Sequence, residues 1–258
     1  QPSGVQGMIR NDTGETTGSS ASAIEHHNGT NWQYFAATES PDPLPASLKM
    51  YLDASNTNSY PGTGTTWFDL TSNANNGAIS GATWINTGYF DFDGSNDKVT
   101  VPSTATSPID FTAKNYSIAI WINPDTSGVN QIFTKYGSND LDRSISVLIN
   151  TDNTLRLIQR TSISNNSYST STIPQNTWTH IAITRSSSEV KFYINGFINN
   201  TVSNTFTPNS GRNQPILIGT NGTSSPTYFN GQISKVNVYD TVLTLNEVYA
   251  LFLEGKGF

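Results

Sequence analysis

The chain has 258 residues with a net charge of -6, from 13 Lys and Arg against 19 Asp and Glu, and no cysteine. The scattered basic residues give no field for nucleic-acid phosphates, no run nears the roughly 20 apolar residues of a membrane span, and the missing thiols exclude disulfides and thiolate catalysis while leaving the compartment open. No nucleic-acid partner and no membrane insertion are therefore expected, and a start at Gln1 without a charged-then-apolar leader fits a processed product or part of a longer polypeptide.

Residues 1–39 read as a small β arm. GMIRND and SAIEHHNGTNWQYF suggest short strands, and Asn28-Gly29 is a dipeptide that tight hairpins favour. An arm of this size buries little by itself, so it is expected to anchor on a neighbour, a sister copy or a larger assembly. SPDPLPAS, residues 40–47, reads as a stiff linker. Residues 48–258 then form the main domain.

There, strand signals recur at short intervals. YFDFDGSNDKVTVP alternates Phe90 and Phe92 with Asp91 and Asp93 before a turn over Gly94–Asp97. NYSIAIWINPD places Ile118, Ile120 and Ile122 on one face and Ala119 and Trp121 on the other. SVLINTDNTLRLIQ holds two strands around the turn pair Asp152 and Asn153, and Asn195-Gly196 closes a tight hairpin between EVKFYI and FINNTV. Several strands are apolar on both faces, which suggests two packed sheets. The last element differs: Thr244-x-x-Glu247 is a capping box opening TLNEVYALFLEG, with Val248, Leu251 and Phe252 at helical spacing and Gly255 at the end. The expected fold is all-β, an antiparallel β-sandwich of jelly-roll type with one short C-terminal helix.

The phrases LKMYLDASNTNSYPGTGTTWFDLTSN, GYFDFDGSNDKVTVP, NYSIAIWINPD, WTHIAITRSSSEVKFYING and FNGQISKVNVYDTVLTLNEV, in that order, resemble the concanavalin A-like, laminin-G-like jelly-roll family across residues 47–255. LDASNTNSYPGTGTTWFDL looks like modules of tailed-phage virion proteins, and the arm resembles segments of phage tail-fibre and capsid-appendage chains. The resemblance implies a virion-surface protein, attached to other virion proteins through the arm and displayed toward host-surface glycans, with a trimer expected of a fibre. A purely structural decoration protein and a polysaccharide-degrading glycosidase are the alternatives, since one fold carries many functions.

Glycoside hydrolysis needs two positioned carboxylates, which laminarinase-like relatives carry as Glu-x-Asp-x-Glu. The six glutamates here, Glu15, Glu25, Glu39, Glu189, Glu247 and Glu254, form no such motif. His26 and His27 would point to opposite faces of a strand, His180 reads as a satisfied structural residue, and no Gly-x-Ser-x-Gly elbow is present. No catalytic residue is expected.

Two readings fit the aspartates. Asp91, Asp93, Asn96 and Asp97 around Gly94 would supply part of a calcium loop, or they are a solvated strand face and turn. The family's calcium-associated phrase Gly-x-Ile-Asp-Glu-Val stands here as GQISKV, with Ser234 and Lys235 in place of the acids. Glycan contacts are expected on loops with aromatic and amide side chains: Tyr60, then Tyr136, Asn139, Asp140 and Asp142, then Tyr228 and Asn230. Trp67, Trp84, Trp121 and Trp178 are expected in the core.

Overall fold

A computed structural model describes residues 9–12, 23–27, 32–35, 44–102, 109–112, 115–135, 143–209, 211 and 214–255. The chain divides into two units, Gln1–Pro45 and Ala46–Phe258. In the first, β1 (Ile9–Asp12), β2 (Ala23–His27) and β3 (Trp32–Phe35) form an antiparallel sheet with β2 in the middle. The turn expected at Asn28-Gly29 lies outside the described residues, as do residues 40–43 of the Pro-rich segment.

The second unit is a sandwich of two antiparallel sheets. The first sheet contains β4 (Leu48–Asp53), β7 (Thr83–Ile85), β8 (Tyr89–Asp93), β10 (Tyr116–Pro124), β15 (Thr179–Arg185), β16 (Glu189–Ile194), β17 (Phe197–Ser203) and β19 (Asn230–Tyr239), in the order β17-β16-β15-β10-β19-β8-β7. Long β19 shares its far edge, pairing β8 through Asn230–Ile233 and β4 through Lys235–Tyr239. The second sheet contains β5 (Thr66–Trp67), β6 (Gly77–Ser80), β9 (Lys98–Val101), β11 (Asn130–Lys135), β12 (Ile145–Ile149), β13 (Thr154–Arg160), β14 (Ser164–Thr172) and β18 (Ile216–Ile218), in the order β14-β13-β12-β11-β18-β9-β6-β5.

The alternation seen in the sequence explains the core. Phe90, Phe92, Ile118, Ile120, Ile122, Ile181, Ile183, Val190 and Phe192 face inward and meet Val99, Phe133, Val147, Leu157 and Ile218 of the second sheet. The outer apolar residues are covered by the helix. Ala119, Ala182, Tyr193 and Tyr239 lie under α1 (Leu245–Glu254), which buries Val248 against them. The second sheet covers one face, as expected, and the helix covers the other; together they account for strands that are apolar on both faces.

The α1 N-terminus carries both halves of the capping box: Glu247 N–H donates to Thr244 Oγ1 at 3.3 Å, and Thr244 N–H donates to the Glu247 carboxylate at 2.7 Å. Gly255 caps the other end, but its φ of -94° is open to any residue. Close approach fixes glycine there, because a Cβ would collide with the Trp121 indole. The Asn195-Gly196 turn is as expected, with φ of 51° and 82° at its two positions.

Two aspartates organise the segment after β4. Asp53 accepts from the Ser55 N–H and hydroxyl and from the Tyr51 hydroxyl, and pairs with Lys235 at 3.3 Å. Asp69 accepts from the N–H groups of Tyr51, Thr71 and Asn75 and from the Thr71 hydroxyl. These bonds replace ladder pairing for an irregular stretch. Within this stretch Tyr60 N–H donates to the Asn56 carbonyl at 2.8 Å and its ring packs into the core.

Where β14 and β17 end their sheets, side chains join them. Asn199 Oδ1 accepts from Thr170 N–H at 2.7 Å and from Ser171 N–H at 3.2 Å, while Asn199 Nδ2 donates to Ser171 Oγ at 2.8 Å. Asn204, 5% exposed, donates through Nδ2 to Gln159 Oε1, Asn165 Oδ1 and Ser167 Oγ and accepts from Phe206 N–H. Asparagine thus completes edges that backbone pairing leaves open. Asn204→Ala leaves buried acceptors unmet and is expected to lower the unfolding free energy by about 2–3 kcal/mol in urea titration, with the m-value unchanged. A loss well below 1 kcal/mol, on the order of an exposed-site change, would show that this junction is slack.

Candidate functional site

The helix covers only part of the first sheet's outer face. Trp121 stacks on Phe252 at 5.7 Å between centroids, and one strand pair further along the residues become polar. Register places Thr83, Asp91, Gln232 and Asn123 side by side across β7, β8, β19 and β10. Inward-facing Phe90, Phe92 and Ile233 fix this row outward by alternation.

The row is bonded along its length. Asn123 Nδ2 donates to Gln232 Oε1 at 2.7 Å. Gln232 Nε2 donates to Asp91 Oδ1 at 2.8 Å and to the Asp125 carboxylate at 3.1 and 3.2 Å. One amide thus holds two carboxylates in fixed positions. Asp93 stands opposite Asn230 where the pairing of β8 and β19 ends. At the side of the row, Tyr89 and Trp178 pack edge to face at 5.4 Å, both partly exposed. Asp91, Asp93 and Asp125 have no cationic partner among the described residues; the ion pairs lie elsewhere, as Lys49–Asp240, Lys191–Glu189 and Lys235–Asp53.

The backbone beneath the row depends on Gly231. Its φ is 138°, and a Cβ there would collide with the Asn123 carbonyl and Pro124. The glycine lets β19 approach β10 where the row is built. Asn230 is held at the same end: its N–H donates to Asn130 Oδ1 at 3.0 Å and its carbonyl accepts from Asp125 N–H at 3.0 Å.

Of the residues expected to contact glycans, Asn230 lies beside this row. Tyr228 is partly buried and bridged to Thr220 in the preceding loop. Tyr60 is a core residue, 6% exposed, packed on Trp84 and Phe90 with its hydroxyl donating to the Gly64 carbonyl, so it offers no face for a sugar. Tyr136, Asn139, Asp140 and Asp142 lie outside the described residues. Trp67 is in the core, Trp84 packs at its margin, and Trp121 is buried under the helix. Trp178 departs from the core expectation, because it closes on Tyr89 at the sheet surface. Tyr89 has the parity of Asp91, the sequence signal that places it outward.

The aspartates of the calcium expectation do not converge. Asp91 is engaged by Gln232 on the sheet, and Asp93 Oδ1 accepts from Ser95 N–H at 2.8 Å. Asn96 is exposed. Asp97, expected in a solvated turn, is 5% exposed; it accepts from Asp93 N–H at 2.9 Å and lies against Gly81, where a Cβ would collide with it. Among the described residues no group of three His, Cys, Asp or Glu side chains is placed to hold a metal ion. In the GQISKV phrase Ser234 is buried and Lys235 is paired with Asp53, so neither replaces the missing acids.

His180 is structural but not satisfied. It is 1% exposed between Trp121 and Phe252, and neither ring nitrogen meets a hydrogen-bond partner among the described residues. Burial pushes its pKa down to about 3, which keeps the ring neutral. Among the described glutamates of the second unit, Glu189 pairs with Lys191, Glu247 caps the helix and Glu254 ends it. None belongs to the polar row.

Burial raises the Asp97 pKa above its ordinary 3.8; the Asp93 N–H opposes this, and the nearby Asp93 and Asp91 charges add to it. A raised folded-state value contributes stability that is present below the unfolded pKa and lost as pH rises through the folded one. Asp97→Asn removes that contribution. The difference in Tm between variant and parent should shift in the variant's favour as pH rises from about 3.5 to about 7, as read by thermal denaturation. A difference independent of pH would show that Asp97 titrates as an ordinary exposed carboxylate.

Comparison with known proteins matches this architecture. A botulinum-like toxin, eBoNT/J of Enterococcus sp. (strain 3G1_DIV0629), is 32% identical over 168 residues, which is 57% of this chain and 13% of the toxin. The chain therefore spans only a small part of that relative. Domain 4 of the GH43 extracellular arabinanase AbnA of Geobacillus stearothermophilus, in complex with arabinotriose, superposes with a TM-score of 0.59 at 21% identity, covering 80% of this chain and 98% of that one. The binding domain of Paraclostridial Mosquitocidal Protein 1 gives 0.61 at 18% identity, covering 80% and 52%, and Trypanosoma rangeli sialidase in complex with sialic acid gives 0.60 at 14%, covering 91% and 42%. These likenesses concern the fold. The model of the concanavalin A-like lectin/glucanases superfamily, Laminin_G_3, matches residues 93–249, more than half of the sequence, and the chain belongs to that family.

Proposed function

We propose that the chain is a non-catalytic carbohydrate-binding module, with its ligand lying on the outer face of the first sheet across Asp91, Gln232, Asn123 and Asp125. One observation carries this reading. A bonded row of amides and carboxylates, carried by β8, β19, β10 and the residue after β10, lies next to the Tyr89–Trp178 aromatic pair. Sugars are recognised by hydroxyl contacts to such groups and by an aromatic surface against the ring's apolar face. Strand-borne side chains lose little freedom on binding.

The charge selects the class of ligand. Three carboxylates without cationic partners repel anionic sugars and accept hydroxyl donors, so the preferred ligand is a neutral glycan. Its chemistry is read as binding rather than hydrolysis: no described glutamate of the domain belongs to the row, and Asp91 and Asp125 both accept from the one Gln232 amide. The similar structures include a toxin binding domain and a domain solved with arabinotriose, in keeping with a binding role for this architecture. Display on a virion surface, anchored through residues 1–39, is part of the proposal on the sequence resemblance alone.

The test is a glycan array spanning neutral and acidic oligosaccharides, run in calcium and in chelator. Neutral hits that survive chelation are expected, with Trp178→Ala and Gln232→Ala each weakening them by about tenfold or more, the equivalent of 1.4 kcal/mol. Hits untouched by both substitutions would place the site elsewhere. Released reducing sugar would overturn the non-catalytic reading, and no binding at all would favour a structural decoration role.

A further inference from the structure

At the opposite end of β10 from the polar row, a positive charge is buried with no Asp or Glu paired to it among the described residues. Arg185, the last residue of β15, has inward parity with Ile181 and Ile183 and is 1% exposed. Its Nη2 donates to the Phe206 carbonyl at 2.7 Å, while Nε and Nη1 have no hydrogen-bond partner among the described residues. No Asp or Glu among the described residues pairs with it. An enclosed guanidinium in this state lacks both counter-charge and donor satisfaction, which is costly in a low-dielectric interior.

The surroundings supply more donors. Tyr116 is the direct cross-strand partner of Arg185 in the β10–β15 register. Gln159 Nε2 donates to the Tyr116 oxygen at 3.4 Å, so the phenol accepts there and its own proton is left to give. Burial pushes the Tyr116 pKa upward, with Arg185 and Gln159 opposing, so the phenol is a neutral donor and not the missing anion. Gln159 Oε1 is taken by Asn204, and the Phe111 ring packs edge to face on Tyr116 at 5.0 Å. The end of the core is rich in donors, poor in acceptors and walled by an aromatic ring.

We propose that a small monovalent anion of chloride size binds here, between the Arg185 guanidinium and the Tyr116 hydroxyl. The anion neutralises the buried charge and accepts the protons that no protein group takes, joining β10 and β15 to the loop carrying Phe206. A monovalent anion matches the single charge of the guanidinium. The inference is independent of the glycan face, which lies at the other end of β10.

The probe is chloride, titrated against gluconate at constant ionic strength with the full chain. Tm should rise by roughly 5–10 °C once chloride reaches a hundredfold excess over its Kd, and the chloride-35 NMR line should broaden and be sharpened by added bromide. Tyr116→Phe keeps the ring and removes one donor; its chloride midpoint should rise at least about threefold. Arg185→Met should abolish the dependence. Equal Tm in chloride and gluconate, or a dependence unchanged in Tyr116→Phe and in a folded Arg185→Met, overturns the proposal. If Arg185→Met does not fold, the Tyr116→Phe midpoint and the line width decide it.

Discussion

β10 is apolar on both faces, and both must be covered. Ile118, Ile120 and Ile122 need the second sheet, whereas Ala119 and Trp121 need something on the other side. The ten-residue α1 supplies it and ends at Gly255 against the Trp121 indole. Past the helix the sequence changes to Asn123, with Gln232 and Asp91 beside it. The length of one short helix thus sets the boundary between buried sheet and polar face. A binding surface on a sandwich need not be an insertion; here it is the part of the sheet that the helix does not reach.

The same economy governs the irregular segment between β4 and β5. Asp53 and Asp69 collect backbone N–H groups that would otherwise be unmatched, and Tyr60 fills the space beneath them. The LDASN and WFDLTSN phrases are therefore read as a hydrogen-bonding frame. Tyr60 looked available in the sequence because it sits between turn residues, but its ring is what the frame is folded around.

Local patterns were legible where neighbours in sequence decide the structure. Phe90 and Phe92 inward with Asp91 outward, the Asn195-Gly196 turn and the Thr244–Glu247 cap all follow from periods and turn chemistry within a few residues. Features set by pairing between distant strands were not. Asp97 follows a turn and reads as solvated, yet the β6–β9 pairing brings Gly81 over it. Trp178 reads as core until Tyr89 is placed next to it, and Gln232 acquires meaning only when register sets it between Asp91 and Asn123. A sequence shows which face a residue occupies more readily than which residues share that face.

The junction of β14 and β17 has a dynamic consequence. Its cross-links are asparagine side chains, not a continuous ladder of backbone pairs, so it can part while each sheet keeps its own hydrogen bonds. Such an opening is a sub-global event with its own free energy, below that of unfolding the core. Amide protons along this seam should therefore exchange with solvent as a group ahead of those of β10 and β19, making the sandwich a body with one weak seam and a rigid back.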